Sequence, residues 1–150
     1  MIGKRVVILV LVLLAMSLAI VSVASAAPGR RADLYTTMSG DREVAPGDPD
    51  GGGYASIHIN VGQAMLCYEL EVWDIDPATA AHIHAAKPGI NGPVVVGFTA
   101  PSGGSSGECL FGLDKGLLRN IIRHPNQYYV NVHNATYPAG AIRDQLRIKP

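Results

Sequence analysis

The sequence predicts an all-β domain, an immunoglobulin-like or Greek-key antiparallel β-sandwich with one short helix. Glycine and proline, at 17 and 10 of the 150 residues, recur between short segments rich in Val, Ile, Tyr and Thr. This punctuation is typical of sandwiches and barrels. Within several segments apolar and polar residues alternate, which is the pattern of strands with one buried face. Seven or eight strands are expected, as in a sandwich.

The first 26 residues have the three parts of an export signal. The basic pair Lys4-Arg5 precedes an apolar stretch over residues 6–23, and Ala24-Ser25-Ala26 supplies the small residues that a signal peptidase requires. We therefore predict cleavage before Ala27. The apolar stretch approaches the ~18 residues that can span a bilayer, so an uncleaved anchor is the alternative. Contact with a membrane is expected only through this segment.

One domain is predicted after the signal. A short lead segment over residues 27–33 precedes a domain over residues 34–150, which is enough chain for a single hydrophobic core. Secretion or retention in the cell envelope is the expected location.

Two successive segments alternate between apolar and polar residues, which predicts two strands with one buried face each. The polar face of the first carries His58, and that of the second carries Cys67. The inward positions are Ala55, Ile57, Ile59 and Val61 in the first segment and Leu66, Tyr68, Leu70 and Val72 in the second.

The two cysteines, Cys67 and Cys109, are predicted to form a disulfide, because disulfides survive where an exported chain resides. The alternative, that they are metal ligands, lacks a nearby Cys-x-x-Cys partner. Closing a loop of roughly 43 residues would stabilise the fold by about 4 kcal/mol in the chain-entropy model. Since Cys67 faces away from the core, the bond is expected at a surface loop or at the edge of the sheet.

The one expected helix begins after Asp114, which can cap it, and ends before Pro125. Its apolar face comprises Leu117, Leu118, Ile121 and Ile122. In the last strand, Asp144 falls among inward apolar positions, which indicates a local irregularity such as a bulge, the alternative being that it pairs with Arg143 or another donor at the edge.

The charge balance excludes one class of partner. The chain has 12 basic and 12 acidic residues, and 10 basic against 12 acidic once Lys4 and Arg5 are removed. Binding to nucleic acid requires a concentrated basic face, so no nucleic-acid partner is expected.

Three of the five histidines form a candidate metal site. His82 and His84 lie two residues apart on a predicted strand, so both project from one face, roughly 7 Å apart at their bases. His133 ends another strand on the same kind of polar face. Three imidazoles could bind copper or zinc and leave a coordination position open. Alternatively, the histidines hydrogen-bond loop backbone and hold the turn over residues 87–93.

No catalytic residue is predicted. The chain has no Gly-x-Ser-x-Gly elbow and no phosphate loop, and neither cysteine is expected to be free as a nucleophile. An enzyme is therefore not the first expectation.

Several motifs in order resemble the CHRD (chordin-type) domain. They are Ser39-Gly40-x-x-Glu43-Val44, Leu66-Cys67-Tyr68-Glu69-Leu70, Thr79-Ala80-Ala81-His82-Ile83-His84, Gly89-x-Asn91-Gly92-Pro93, Tyr129-Val130-Asn131-Val132-His133 and Tyr137-Pro138-Ala139-Gly140-x-Ile142-Arg143-x-Gln145-Leu146. Asp144 departs from the pattern, which more usually has glycine there.

The resemblance implies an extracytoplasmic β-sandwich of the single-domain microbial type. The growth-factor binding of chordin does not carry over with the fold. The His-x-His motif is also similar to the copper-binding strand of Cu/Zn superoxide dismutases, which share the sandwich architecture.

Three functions are consistent with the sequence. The first is a binding module whose loops over residues 85–93 and 134–140 contact an unidentified extracellular or envelope partner. The second is a metal-binding domain, with redox activity if the ion is copper, that uses His82, His84 and His133. A structural component of a wall or matrix would share the features of the first.

Overall fold

The computed structural model describes residues 29–150, and the predicted export signal lies outside them. The described chain contains nine strands, one α-helix and two single-turn 3-10 helices. In this part of the chain, no helix has the length and apolar character needed to cross a membrane. The elements are β1 (Arg31–Ser39), a 3-10 helix (Gly40–Arg42), β2 (Gly52–Asn60), β3 (Met65–Trp73), β4 (Ala78–Ala85), β5 (Val94–Phe98), β6 (Ser105–Leu110), α1 (Lys115–Arg123), a 3-10 helix (Pro125–Gln127), β7 (Tyr128–Asn134), β8 (Ile142–Gln145) and β9 (Arg147–Ile148).

The strands form one antiparallel sheet in the order β5-β4-β7-β8-β1-β2-β3-β6, with β9 paired to β1. The all-β class and the short helix are confirmed. The two separate sheets of the predicted Greek-key or immunoglobulin-like sandwich are not confirmed. Because β1 pairs with β2 on one side and with β8 and β9 on the other, hydrogen bonds run through all nine described strands. The sheet nearly closes into a barrel.

Side chains join the two edge strands, β5 and β6. The ring of Tyr68 in β3 stacks on Phe98 at the end of β5, with centroids 3.9 Å apart. The Tyr68 hydroxyl accepts a hydrogen bond from the Thr99 backbone N–H and donates one to Glu108 in β6. The Ser106 hydroxyl donates to the Thr99 carbonyl at 2.7 Å. The edges therefore meet through side-chain bonds instead of a backbone ladder.

The apolar residues predicted to face inward are buried on one side of the sheet. Those of β2 and β3 lie in the same core as the apolar face of α1, although Val72 is only partly buried. The carboxylate of Asp114 accepts a hydrogen bond from the Leu117 N–H at 2.6 Å, which confirms the predicted cap. The buried residues of this helix are Leu118, Ile121 and Ile122.

Cys67 and Cys109 form a disulfide, as predicted. The two residues are direct partners in the β3–β6 ladder, and Cys109 is exposed. The bond therefore lies outside the core and fastens the edge strand β6 to its neighbour.

The last strand is interrupted, as the position of Asp144 predicts. The Asp144 carboxylate accepts hydrogen bonds from the Gln145 backbone N–H and from the Arg147 guanidinium, both at 2.7 Å. The Leu146 N–H donates to the Tyr128 carbonyl, and the chain resumes pairing only in β9. A buried carboxylate among apolar positions is thus paired at a break between two strands.

Candidate metal centre

Three histidines converge on the outer face of the sheet where β4 and β7 pair. His82 and His84 project from β4 on either side of the buried Ile83, and His133 projects from β7. The ring centroid of His82 lies 5.5 Å from that of His84 and 5.3 Å from that of His133. One nitrogen from each ring lies within 4.8 Å of the other two. The three imidazoles predicted to form a site are therefore neighbours.

Backbone carbonyls fix the protonation of two of these rings. His84 Nδ1 lies 2.9 Å from the Gly92 carbonyl oxygen, and His133 Nδ1 lies 3.1 Å from that of Pro138. A carbonyl oxygen only accepts hydrogen bonds, so each Nδ1 carries the proton. In the neutral rings, Nε2 then holds a lone pair, which is the arrangement of metal-binding histidines oriented by an outer acceptor.

In each of the three rings, one nitrogen has no hydrogen-bond partner in the described residues. Nδ1 of His82 and Nε2 of both His84 and His133 are buried without a hydrogen-bond partner in the described residues. Burial is the main cause that lowers the pKa of each of the three imidazoles. The neighbouring imidazoles lower the pKa of His82 further. The rings are therefore neutral near pH 7, with lone pairs free to bind a cation.

The spacing of these donors is close to that of a bound ion. Zinc binds imidazole nitrogen at about 2.0–2.1 Å, so two donors on one ion lie at most about 4.2 Å apart. Donor separations of up to 4.8 Å require only a slight approach of the rings. Three neutral nitrogen donors suit copper or zinc and leave one coordination position open.

A stack of planar groups supports His84. Its ring lies parallel to that of Tyr129 in β7, at a centroid distance of 4.9 Å and an interplanar angle of 5°. On the ring of Tyr129 lies the guanidinium of Arg143 in β8, with its central carbon 3.7 Å from the centroid. Arg143 is only 1% exposed, although it is charged. This stack fixes the ring of His84 between the sheet and the loop that follows β4.

The loop over residues 86–93 is tied to the same stack. Arg143 donates hydrogen bonds to the side chain of Asn91 and to the carbonyl of Ile90. The Gly92 N–H donates to the Tyr129 hydroxyl at 3.2 Å. A Cβ atom on Gly92 would lie 2.1 Å from the carbonyl oxygen of Ala85, so only glycine allows this approach. The carbonyl that orients His84 is therefore held in place.

Asn131 connects the histidines to a half-buried carboxyl group, that of Glu43. In the strand registers it faces His82 on one side and Arg143 on the other. Its Nδ2 donates to Glu43 Oε1 at 2.7 Å. The carboxylate of Glu43 fills the space above Gly140, where a Cβ atom would lie 2.4 Å from it. Burial raises the pKa of Glu43 to about 7, although Arg143 and the Asn131 hydrogen bond act in the opposite direction.

Glu43→Gln is expected to change how stability depends on pH. Because the pKa of Glu43 rises from 4.5 to about 7 on folding, its protonation favours the fold below pH 4.5, and this contribution is lost as pH rises through 7. Glutamine does not ionise. When the pH is raised from 5 to 8, the natural protein should therefore lose stability that the variant does not lose. The difference in unfolding free energy should change by about 1–2 kcal/mol in favour of the variant, after allowance for solvent screening.

Urea unfolding at the two pH values measures this gain. Glu69→Gln, at an exposed position of β3, is the matched control and should show no pH-dependent gain. An equal difference between Glu43→Gln and the natural protein at both pH values would contradict the expectation.

The sequence predicted the three histidines but not the groups around them. Alternation along β7 does place Tyr129, Asn131 and His133 on one face, so two of the missed residues were indicated by that pattern. Glu43 belongs to one of the family motifs, but nothing in that motif indicated that it reaches the site from a distant part of the chain. The remaining histidines lie apart from the cluster: His58 bonds to Asp33, and His124 ends α1.

The fold and the site define a disulfide-bonded, all-β domain that carries a cluster of neutral histidines on its outer face. The chain belongs to the CHRD domain family, whose model matches residues 34–146. The resemblance seen in the sequence motifs is therefore confirmed, and family membership supports a binding or structural module. No curated protein and no solved structure matches the chain.

Proposed function

We propose that the protein is an exported metal-binding domain that holds one copper or zinc ion between His82, His84 and His133. The observation that carries this proposal is the convergence of three imidazoles, each with one buried, unpaired nitrogen and each offering a ligand nitrogen within 4.8 Å of those of the other two. Each buried polar atom without a partner costs about 1–3 kcal/mol. A cation that accepts three lone pairs removes this cost at all three atoms.

The environment of the three histidines favours binding of a metal ion over protonation of the rings. Burial lowers the pKa of each imidazole, so the cluster resists protonation near neutral pH. The Gly92 and Pro138 carbonyls keep the lone pairs of His84 and His133 on the inner side. Once bound, zinc would supply a Lewis acid at an open position, and copper would add one-electron redox chemistry.

Export is supported by two features. CHRD domains are typically extracellular, and the chain belongs to this family. The Cys67–Cys109 disulfide also suits an oxidising compartment, since cytosolic thiols are kept reduced. Cleavage of residues 1–26 would release the domain, with a cell-envelope location as the alternative.

Metal analysis of the protein purified after export tests the proposal. We expect one equivalent of copper or zinc by mass spectrometry, and none in a His82→Ala/His84→Ala double variant. His58→Ala is the matched control, since His58 is a solvent-facing strand histidine bonded to Asp33, and it should retain the metal. A folded protein that contains no metal and takes up neither ion on reconstitution would overturn the proposal.

A metal-free binding or structural module is the second candidate. The observation in its favour is that the outer nitrogens of His84 and His133 hold the loops over residues 85–93 and 134–140. Ile90, at the tip of the first loop, is 56% exposed and would be available to a partner. In this case the histidine variants would loosen the loops without any metal being lost.

A further inference from the structure

A buried amide oxygen close to the histidine cluster has no hydrogen-bond donor. Asn131 is only 3% exposed, and its Oδ1 is unpaired in the described part of the chain. Buried side-chain acceptors are nearly always satisfied, so such an oxygen indicates a donor that arrives from elsewhere.

The strand registers give the direction of this oxygen. Asn131 in β7 lies between His82 in β4 and Arg143 in β8. Its Nδ2 donates a hydrogen bond to Glu43, whose carboxylate lies against Gly140 in the segment that joins β7 to β8. The oxygen and nitrogen of an amide occupy opposite arms of one planar group. The oxygen is thus directed away from Glu43, and on the other side of β7 the strand partner of Asn131 is His82 in β4.

We propose that Asn131 Oδ1 accepts a hydrogen bond from the molecule in the open coordination position of the metal, which is a small ligand with an O–H group. This inference rests on the proposed metal site. Water is the resting ligand of this class, and a peroxide is another member. Asn131 is here a positioning residue, because it contacts the metal's fourth ligand and not the metal.

Glu43 and Gly140 fix the orientation of the amide. Glu43 Oε1 accepts a hydrogen bond from the Nδ2 arm, and the carboxyl group fits because Gly140 carries no side chain. With Nδ2 held in this way, Oδ1 stays available as an acceptor on the metal side. The site therefore favours ligands that donate a hydrogen bond over anions that carry no hydrogen, such as azide.

Azide binding to the Cu(II)-loaded protein tests this preference. Azide must displace the water that bonds to Asn131, so Asn131→Val should bind azide roughly fivefold more tightly, which corresponds to one hydrogen bond of about 1 kcal/mol. The azide-to-copper absorption band measures the affinity. Asn126→Val makes the same change at an exposed position and should leave azide affinity unaltered.

A second variant keeps the test valid if Asn131→Val does not fold. Glu43→Ala retains the Asn131 amide but releases its orientation, so azide should again bind more tightly, by a smaller factor. A natural protein that binds no Cu(II) would overturn the proposed function itself. If Cu(II) binds but azide affinity is equal in the natural protein and in the folded Asn131 or Glu43 variant, only the present inference is overturned.

Discussion

Arg143→Ala is expected to lower the free energy of unfolding by about 3 kcal/mol, because the lost cation–π contact and two charge-assisted hydrogen bonds outweigh the relief from no longer burying a charge. The guanidinium lies on the ring of Tyr129 and donates to Ile90 and Asn91. Its loss also frees the loop whose Gly92 carbonyl orients His84, so metal affinity should fall together with stability.

Urea unfolding and metal titration of the same samples measure both effects of this substitution. Arg143→Lys retains the charge but not the planar fork, and it should recover only part of the lost stability. Arg119→Ala removes an exposed arginine from α1 and should change stability by less than about 0.5 kcal/mol. If Arg143→Ala and Arg119→Ala unfold at the same urea concentration, the buried guanidinium does not stabilise the loop.

Removal of the disulfide should have a comparable effect. The Cys67–Cys109 bond joins residues 42 apart in sequence, and a loop of this length corresponds to about 4 kcal/mol in the chain-entropy model. For a domain of this size, that loss lowers the melting temperature by roughly 10–15 °C. Because the bond lies outside the core, replacing both cysteines with serine removes little packing, and the loss reflects the cross-link.

Thermal unfolding with and without a thiol reductant provides the control. The reductant should destabilise the natural protein and leave a Cys67→Ser/Cys109→Ser variant unchanged. Hydrogen exchange should rise first in β6, the edge strand that the disulfide holds to β3. Equal melting temperatures for the natural protein and the variant would show that the bond adds nothing to global stability.

The local structure followed well from the sequence because local physics determines it. The alternation over β2 and β3 assigned the buried residues, and the carboxylate of Asp114 with the apolar spacing of Leu117 to Ile122 defined the helix. The way the strands join into one sheet was not predictable in this way. The sheet is continuous because β1 pairs with β2 on one edge and with β9 on the other, and these two partners are far from each other in the sequence. Alternation of apolar and polar residues does not encode which strand edges pair.

The candidate site shows the same division. Spacing on a strand predicted that His82 and His84 share a face, and the motif containing His133 added the third ring. The burial of Arg143 was not predicted, because an arginine in a strand is ordinarily exposed. Its burial requires the ring of Tyr129, the loop over residues 86–93 and the nearby Glu43, which come together only in the folded chain.

The contact between β5 and β6 has a consequence for solubility. An open sheet ends in two strands with free backbone groups, which can template the addition of strands from other molecules and so begin aggregation. Here Phe98 and Thr99 at the end of β5 contact Tyr68, Ser106 and Glu108 across the gap. These contacts cover the Phe98 end of β5 and the neighbouring part of β6, so intermolecular β-pairing is hindered there without a complete ring of backbone hydrogen bonds.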